Sequence, residues 1–297
     1  MIHITLPDGS LREYDQPLSV YELAASIGLA LAKAAVAGRV DGVLVDCGFM
    51  IQGDARVSIV TPQEPDGLEI LRRSCALMLA MAVKQLHPSV LLLKGSALGD
   101  GFFYEFALQR ALTLADLTPI EVRMHMLAAG NHSIRQRSLS ATERHSVYRL
   151  GDGDYLTKGP HVPATRVLQA FALDHVGGTS LQRIYGTCWP SQLELEHWRA
   201  PPQVMVVNID ERQIAYTQSV TEELRRSGVR AHVDLRNEKI GYKIRLHSER
   251  SVPYLLVVGE KEKHGGFVSV RSCSGEDFGR MRIDEVCGFL HPKDCGV

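Results

Sequence analysis

Very little in this chain of 297 residues is in excess. No apolar run approaches the ~20 residues that a membrane-spanning helix needs, so the sequence predicts none. No charge dominates. Thirty-three Lys and Arg face 34 Asp and Glu, a net charge of −1, which excludes a highly basic nucleic-acid coat but leaves room for a local basic patch. The 6 cysteines, Cys47, Cys75, Cys188, Cys273, Cys287 and Cys295, include no CxxC pair. Their scatter predicts reduced, half-buried packing residues rather than a disulfide framework or a zinc site. The opening Met1–Ser10 has neither a basic segment nor an apolar one to serve as a leader, so the expected compartment is the cytoplasm. The rest is ordinary globular composition, 45% hydrophobic and 23% charged, in a length suited to about two or three domains.

Periodicity and turn residues divide the chain. Ile2 and Ile4 alternate with polar residues up to Pro7-Asp8-Gly9-Ser10, and Leu11–Tyr14 follows, which predicts a hairpin. Ser19 with Glu22 three residues on, closed by Gly28, predicts a capped helix. Strands are expected near Ala34–Val40, Val43–Val45 and Arg56–Thr61, and Pro62–Gly67 reads as a break. A helix is expected from Leu68 to about Leu86, ended by Pro88. Residues 90–200 read as α+β, with Pro190–Pro202 a linker candidate. Beyond it the pattern is strand at Val204–Ile209, helix at Arg212–Ser227, strand at Val229–Asp234 and helix at Ile240–Glu249. Strands at Tyr254–Val258 and Phe267–Arg271 follow, then a segment from Glu276 that turns helical toward Leu290. Such alternation predicts an α/β domain with a partly parallel sheet. Residues 201–297 carry 15 Lys and Arg against 14 Asp and Glu, so any nucleic-acid contact there must come from local placement.

Three blocks, in order, carry a resemblance. ITLPDGS (4–10) with AGRVDGVLVD (37–46) resembles the TGS domain of threonyl-tRNA synthetases. EILRRSC (69–75), GPHVP (159–163) and LQRIYGT (181–187) resemble that family's editing domain, and DLRNEKIGYKIR (234–245) resembles its anticodon-binding domain. The implied organisation is a β-grasp-like TGS domain over 1–62, a shortened α+β editing-like domain over 63–190, a linker over 191–200, and an α/β anticodon-binding domain over 201–297. The family's class II catalytic domain, which lies between the last two, has no room here: Tyr185-Gly186-Thr187-Cys188-Trp189 is followed almost at once by Pro201-Pro202. Amino-acid activation needs phosphates neutralised and a carboxylate positioned. The expectation is a chain that does not charge tRNA alone.

The resemblance also places candidate residues. The family's editing centre, two histidines four apart plus a cysteine and a histidine, falls on Leu77, Met81, Thr157 and His161. Leu77 and Met81 read as apolar helix positions, and only His161 keeps its type, as a histidine in a tight Gly-Pro loop. The loop before LQRIYGT is cut to Val176-Gly177-Gly178-Thr179-Ser180, with Ser146–Arg149 as the remnant of another wall. No catalytic residue, metal or cofactor is expected.

Family positions that read anticodon bases fall on Asn237, Ser251, Glu262 and Arg271, with Ser251 standing where the family has arginine. Amide, carboxylate and guanidinium groups can read the exposed edges of unstacked bases. Lys239, Lys243, Arg245 and Arg250 are candidates for phosphate contacts, which position RNA without specifying it. Alternatively, Asn237 caps the helix from Ile240, and the lysines and Arg245 form its solvated face. The expected function is a non-catalytic binder of a threonine-type tRNA or of a structured mRNA that imitates its anticodon arm. A freestanding trans-editing deacylase and an accessory partner of a full-length synthetase remain open.

Overall fold

Local sequence signals and the architecture agree from the first residues. The strands β1 (Ile2–Thr5) and β2 (Leu11–Tyr14) form the expected antiparallel hairpin, with Ile2 opposite Tyr14. A short strand β3 (Leu18–Ser19) leads into α1 (Val20–Ile27), where the Ser19 hydroxyl accepts from the Glu22 N–H and the Glu22 carboxylate accepts from the Ser19 N–H. Two orphan donors of the first turn are thereby satisfied. The residues around Ala34 extend a second helix, α2 (Leu29–Ala34), so the expected strand begins only at β4 (Ala37–Val40). Then come β5 (Val43–Val45), β6 (Met50–Ile51) and β7 (Ala55–Val60). The sheet order is β2-β1-β7-β4-β5, parallel only between β1 and β7, and β3 pairs with β6.

The computed structural model describes residues 1–137, 146–178 and 181–290, which form two compact units. The first comprises residues 1–97 and 101–197. Its second half is built around α3 (Pro65–Leu86). The Pro62–Gly67 break is shorter than expected, because Pro65 sits at the helix start, where its missing N–H leaves no bond unmade. Leu71, Cys75, Met78, Leu79 and Ala82 are all buried, as is most of the helix circumference, so α3 is a central helix rather than a surface one. Around it run β8 (Leu91–Leu98), β9 (Gly101–Ala107), α4 (Leu117–Ala129), β10 (Ile134–Gln136), β11 (Ser146–Leu150), β12 (Gly153–Thr157), β13 (Ala170–Gly177) and β14 (Gln182–Trp189). They form two sheets, β13-β14-β9-β8 and β10-β11-β12. Val176 and Gly177 of the shortened loop belong to β13; Thr179, Ser180 and Cys295 lie outside the described residues. The linker candidate contains a helix, α5 (Gln192–Arg199), whose Leu195 is buried. Cys47, Cys75 and Cys188 are buried, whereas Cys273 is exposed, against expectation. Among the described residues no helix is long and apolar enough to cross a membrane.

The second unit is residues 98–100 and, among the described residues, 198–290. Its elements are β15 (Val204–Asn208), α6 (Ile214–Arg226), β16 (Ala231–Asp234), α7 (Ile240–Glu249), β17 (Tyr254–Val258), α8 (Glu260–Gly265), β18 (Val268–Ser272), β19 (Asp277–Met281) and α9 (Ile283–Leu290). The helix α8 and the strand β19 are the elements of this unit that the sequence pattern does not predict. The order is β16-β15-β17-β18-β19, parallel in the first three and antiparallel beyond. Strand alternation sends Val204, Val206, Leu256, Val258, Val268 and Val270 to one face, against Val220 and Leu224 of α6 and Val286 of α9. Met205, Val207, Leu255 and Val257 go to the other, against Ile240 and Ile244 of α7.

The end of α7 is a Schellman turn: the Val252 N–H donates to the His247 carbonyl (3.1 Å) and the Ser251 N–H to the Ser248 carbonyl (2.9 Å). Ser251 takes the left-handed position, φ 55°, that glycine usually occupies. Ser251→Gly should therefore stabilise the C-terminal unit by about 0.5–1 kcal/mol, the relief of the Cβ clash less the glycine entropy. A chemical denaturation midpoint that does not rise would show the position to be unstrained.

Candidate nucleic-acid interface

The helix α7 covers β15 and β17 but not the two antiparallel strands beside them. Residues opposite one another in a ladder share a face. Ser269 lies opposite Val257 and Arg271 opposite Leu255, so both project on the α7 side, and Arg280 and Asp277 of β19 stand opposite them in turn. A bulge between Val270 and Arg271 absorbs the extra residue Phe278, which turns back to the core. The result is a polar strip on a part of the sheet face that α7 leaves open. The Arg271 guanidinium donates to Asp277 at 3.0 Å and is 44% exposed. Arg280 lies 3.7 Å from Glu262.

Glu262 reaches the same strip from α8. Its carboxylate accepts from the Gly259 N–H (3.0 Å) and from the Ser269 hydroxyl (3.0 Å). It is largely buried, so one carboxylate caps a helix start and lines the strip together. Asn237 is exposed in the turn between β16 and α7, at the strand end where Glu262 also lies. It does not cap α7: the cap is Lys239, without a side-chain bond. Ser251 and Arg250 sit at the opposite end of α7, before β17. The candidates thus fall at both ends of α7 and on the strip beside it. Arg245 is exposed and lies 3.8 Å from Glu249; Lys239 and Arg250 are exposed too.

Lys243 departs from expectation. It is 1% exposed, and its ammonium donates to the Asn208 carbonyl (3.0 Å), the Asn208 side-chain oxygen (2.9 Å) and the Asp234 carbonyl (3.1 Å). It cannot reach a phosphate. Burial pushes its pKa down to about 8 against the attraction of Asp234. Burial also opposes the charge of Asp234. Hydrogen bonds from Arg236 (2.8 Å) and His247 (2.8 Å), with the Arg236 and Lys243 charges, nonetheless hold its carboxyl well below the usual carboxylate range. These groups tie the carboxyl ends of β15 and β16 to α7.

The four residues that the resemblance sets at editing positions belong to no cluster of metal-ligating side chains among the described residues. Leu77 and Met81 are buried in the apolar core, and the Thr157 hydroxyl has only its neighbour's carbonyl at 3.5 Å. His161 is 1% exposed, with Nδ1 3.1 Å from the Ser74 hydroxyl. That hydroxyl donates to the Ile70 carbonyl (2.7 Å) and accepts from the Val162 N–H (3.0 Å). Its single proton is thus engaged, and the imidazole must donate from Nδ1. Nε2 is then unprotonated and buried, with no partner among the described residues.

The TGS domain family matches residues 2–61 and the anticodon binding domain family residues 203–292. A threonine–tRNA ligase of Legionella pneumophila (strain Corby) is 42% identical over 231 residues, 67% of this chain and 36% of the ligase. One from Halorhodospira halophila is 41% identical over 226 residues, 65% and 35% of the two chains. A crystal structure of the RNA binding domain of threonyl-tRNA synthetase from Cryptosporidium parvum Iowa II has 15% identity, covers 76% of this chain and 60% of that one, and gives a TM-score of 0.30. The chain is threonyl-tRNA synthetase-like. It carries a TGS domain and an anticodon-binding domain, and spans 36% of the length of the first of these ligases.

In this synthetase-like chain the TGS domain takes part in fixing His161. Asp46 accepts from the His161 N–H (2.9 Å) and from the Tyr148 hydroxyl (2.7 Å), beside a cavity of about 770 Å³ that Tyr21, Phe49 and Arg135 also line. Burial raises the Asp46 pKa despite these two bonds. Burial, and then the Arg73 charge, push the His161 pKa from 6.5 down to about 3. An unfolded chain therefore takes up a proton as pH falls below 6.5, whereas the folded His161 does not until about 3. Because the unfolded state binds more protons in that window, stability falls as pH falls through it. His161→Gln, which leaves Asp46 and its raised pKa in place, should flatten that acid dependence between pH 6.5 and about 5. Parallel stability–pH curves for the two proteins would contradict a buried neutral imidazole.

Proposed function

We propose that this chain is a non-catalytic RNA-binding protein of the threonyl-tRNA synthetase type. It takes an anticodon arm, of a threonine-type tRNA or of an mRNA hairpin imitating one, on the open sheet face beside α7. The observation that carries this reading is the strip of Glu262, Ser269, Arg271, Asp277 and Arg280, where each charged group is already oriented by a partner. Such pre-orientation lowers the entropy lost when a base docks. Unstacked anticodon bases present the donor and acceptor edges that amide, carboxylate and guanidinium groups match. Asn237 and Arg271 are the exposed readers, and Lys239, Arg245 and Arg250 the phosphate contacts.

Fluorescence anisotropy with matched and scrambled anticodon-arm hairpins tests the reading. The matched arm should bind more tightly, and Arg271→Ala should cost it about 1–3 kcal/mol, by analogy with bidentate base contacts in duplexes. The near-balanced charge of the domain limits phosphate contacts, so affinity should fall only shallowly with salt. Equal affinity for both arms, untouched by Arg271→Ala, would leave a scaffold for some other partner.

The non-catalytic part rests on the connection between Trp189 and Val204, which holds only α5 and its flanks. No ATP-binding sheet fits there. Threonine-dependent ATP–pyrophosphate exchange by the pure protein should be absent, and its detection would refute this part alone.

A further inference from the structure

We propose that Arg280 is a specificity-determining residue of the RNA interface, reading a base edge that presents two adjacent acceptors. This inference rests on the RNA-binding reading above and extends it to a residue outside the candidate set.

Three observations place the guanidinium for that role. Arg280 lies opposite Ser269 in the β18–β19 ladder, and so stands on the uncovered face one row from Arg271. Its guanidinium carbon is 4.9 Å from the centre of the Phe267 ring, and its Nε is 3.7 Å from Glu262. The side chain is nevertheless 55% exposed. The guanidinium therefore lies over an aromatic ring and beside a carboxylate of opposite charge. Of the five N–H donors of an arginine, those on the terminal nitrogens remain to be offered outward.

The anchoring also decides what kind of contact results. A lysine or a loosely held arginine acts as a mobile point charge and suits phosphates. A guanidinium fixed by ring and carboxylate has its charge partly offset and its direction set, which favours paired hydrogen bonds over long-range attraction. The base edge that accepts such a fork is the O6/N7 edge of guanine. In an unstacked loop that edge is open to a protein side chain. Arg271, held by Asp277 at 3.0 Å, is a second carboxylate-paired guanidinium one row away.

The test uses the full chain and hairpin RNAs. Three loops are compared: the matched anticodon arm, the same arm with its loop guanines replaced by 7-deazaguanine, and a scrambled arm. The 7-deaza base keeps pairing and stacking but lacks N7. Wild-type protein should bind the matched arm about tenfold more tightly than the deaza arm, within the range of a bidentate base contact. Arg280→Ala should weaken the matched arm by a similar factor and leave the scrambled arm within about twofold. The wild-type difference between the guanine and deaza arms should shrink. Arg280→Lys should not restore it, because an ammonium lacks the planar fork. Both variants should keep the wild-type melting temperature, since Glu262 retains its bonds to Gly259 and Ser269. Equal weakening of matched and scrambled arms would make Arg280 a phosphate contact and overturn the proposal. An unchanged affinity, or an undiminished deaza effect in Arg280→Ala, would also overturn it. A wild-type protein indifferent to matched and scrambled arms would remove the RNA reading, and this inference with it.

Discussion

Ten residues of α7, about 15 Å of helix, have to cover one face of a five-stranded sheet, and they cannot. The helix reaches the parallel strands, where Ile240 and Ile244 meet Met205, Val207, Leu255 and Val257. Strands β18 and β19 extend past it. Their opposite face is closed by Val268, Val270, Phe278 and Met281 against the helices α6 and α9. Alternation along the strand then obliges the intervening residues to face water. In this chain they are Ser269, Arg271 and Arg280, and a sheet face with fixed guanidinium groups is a surface suited to reading bases.

The edge of that surface depends on a buried polar cluster. Asp234 receives bonds from Arg236 and His247, while Lys243 joins the carbonyls of Asn208 and Asp234. Buried charges are costly unless paired and hydrogen-bonded, and breaking one pair leaves the other charge exposed to a low-dielectric interior. Here the pairing is nearly complete around Asp234, and it fixes the turn from which Asn237 projects. The exposed pair of Arg245 with Glu249 is of another kind, screened by solvent and worth little to the fold.

In the first unit, His161 has the surroundings of a packing group. The Ser74 hydroxyl engages Nδ1, the edge of the Tyr148 ring lies against it, and Asp46 of the TGS domain takes its backbone N–H. Leu77 and Met81 fill the space beside the core with apolar atoms. His161 is therefore bound into the joint between the TGS domain and the residues that follow it, as a neutral side chain.

Much of this was legible in the residues themselves. The β1–β2 hairpin, the Ser19–Glu22 capping box, and the elements Ile240–Glu249 and Tyr254–Val258 follow from short-range pattern, and the structure has them. Local signals sufficed because the period, turn residues or cap that mark each of these elements lie within a few neighbouring positions. The burial of Lys243 is implicit in its spacing. It falls at i+3 from Ile240 and i−4 from His247, inside the buried stripe of α7, and its charge outweighed its position. The strand β19 was missed because Gly275, Gly279 and a bulge interrupt its alternation, and only pairing with β18 makes Asp277–Met281 extended. Arg280 could not be found by sequence at all. Its significance comes from Phe267, Ser269 and Glu262, which are up to eighteen positions away along the chain and are brought beside it only by the order β17-β18-β19. The sequence by itself determined the kinds of domain and most local elements, since period, caps and turns act over a few residues. Which charges face water and which are buried was decided by the tertiary structure, because burial depends on what other segments cover.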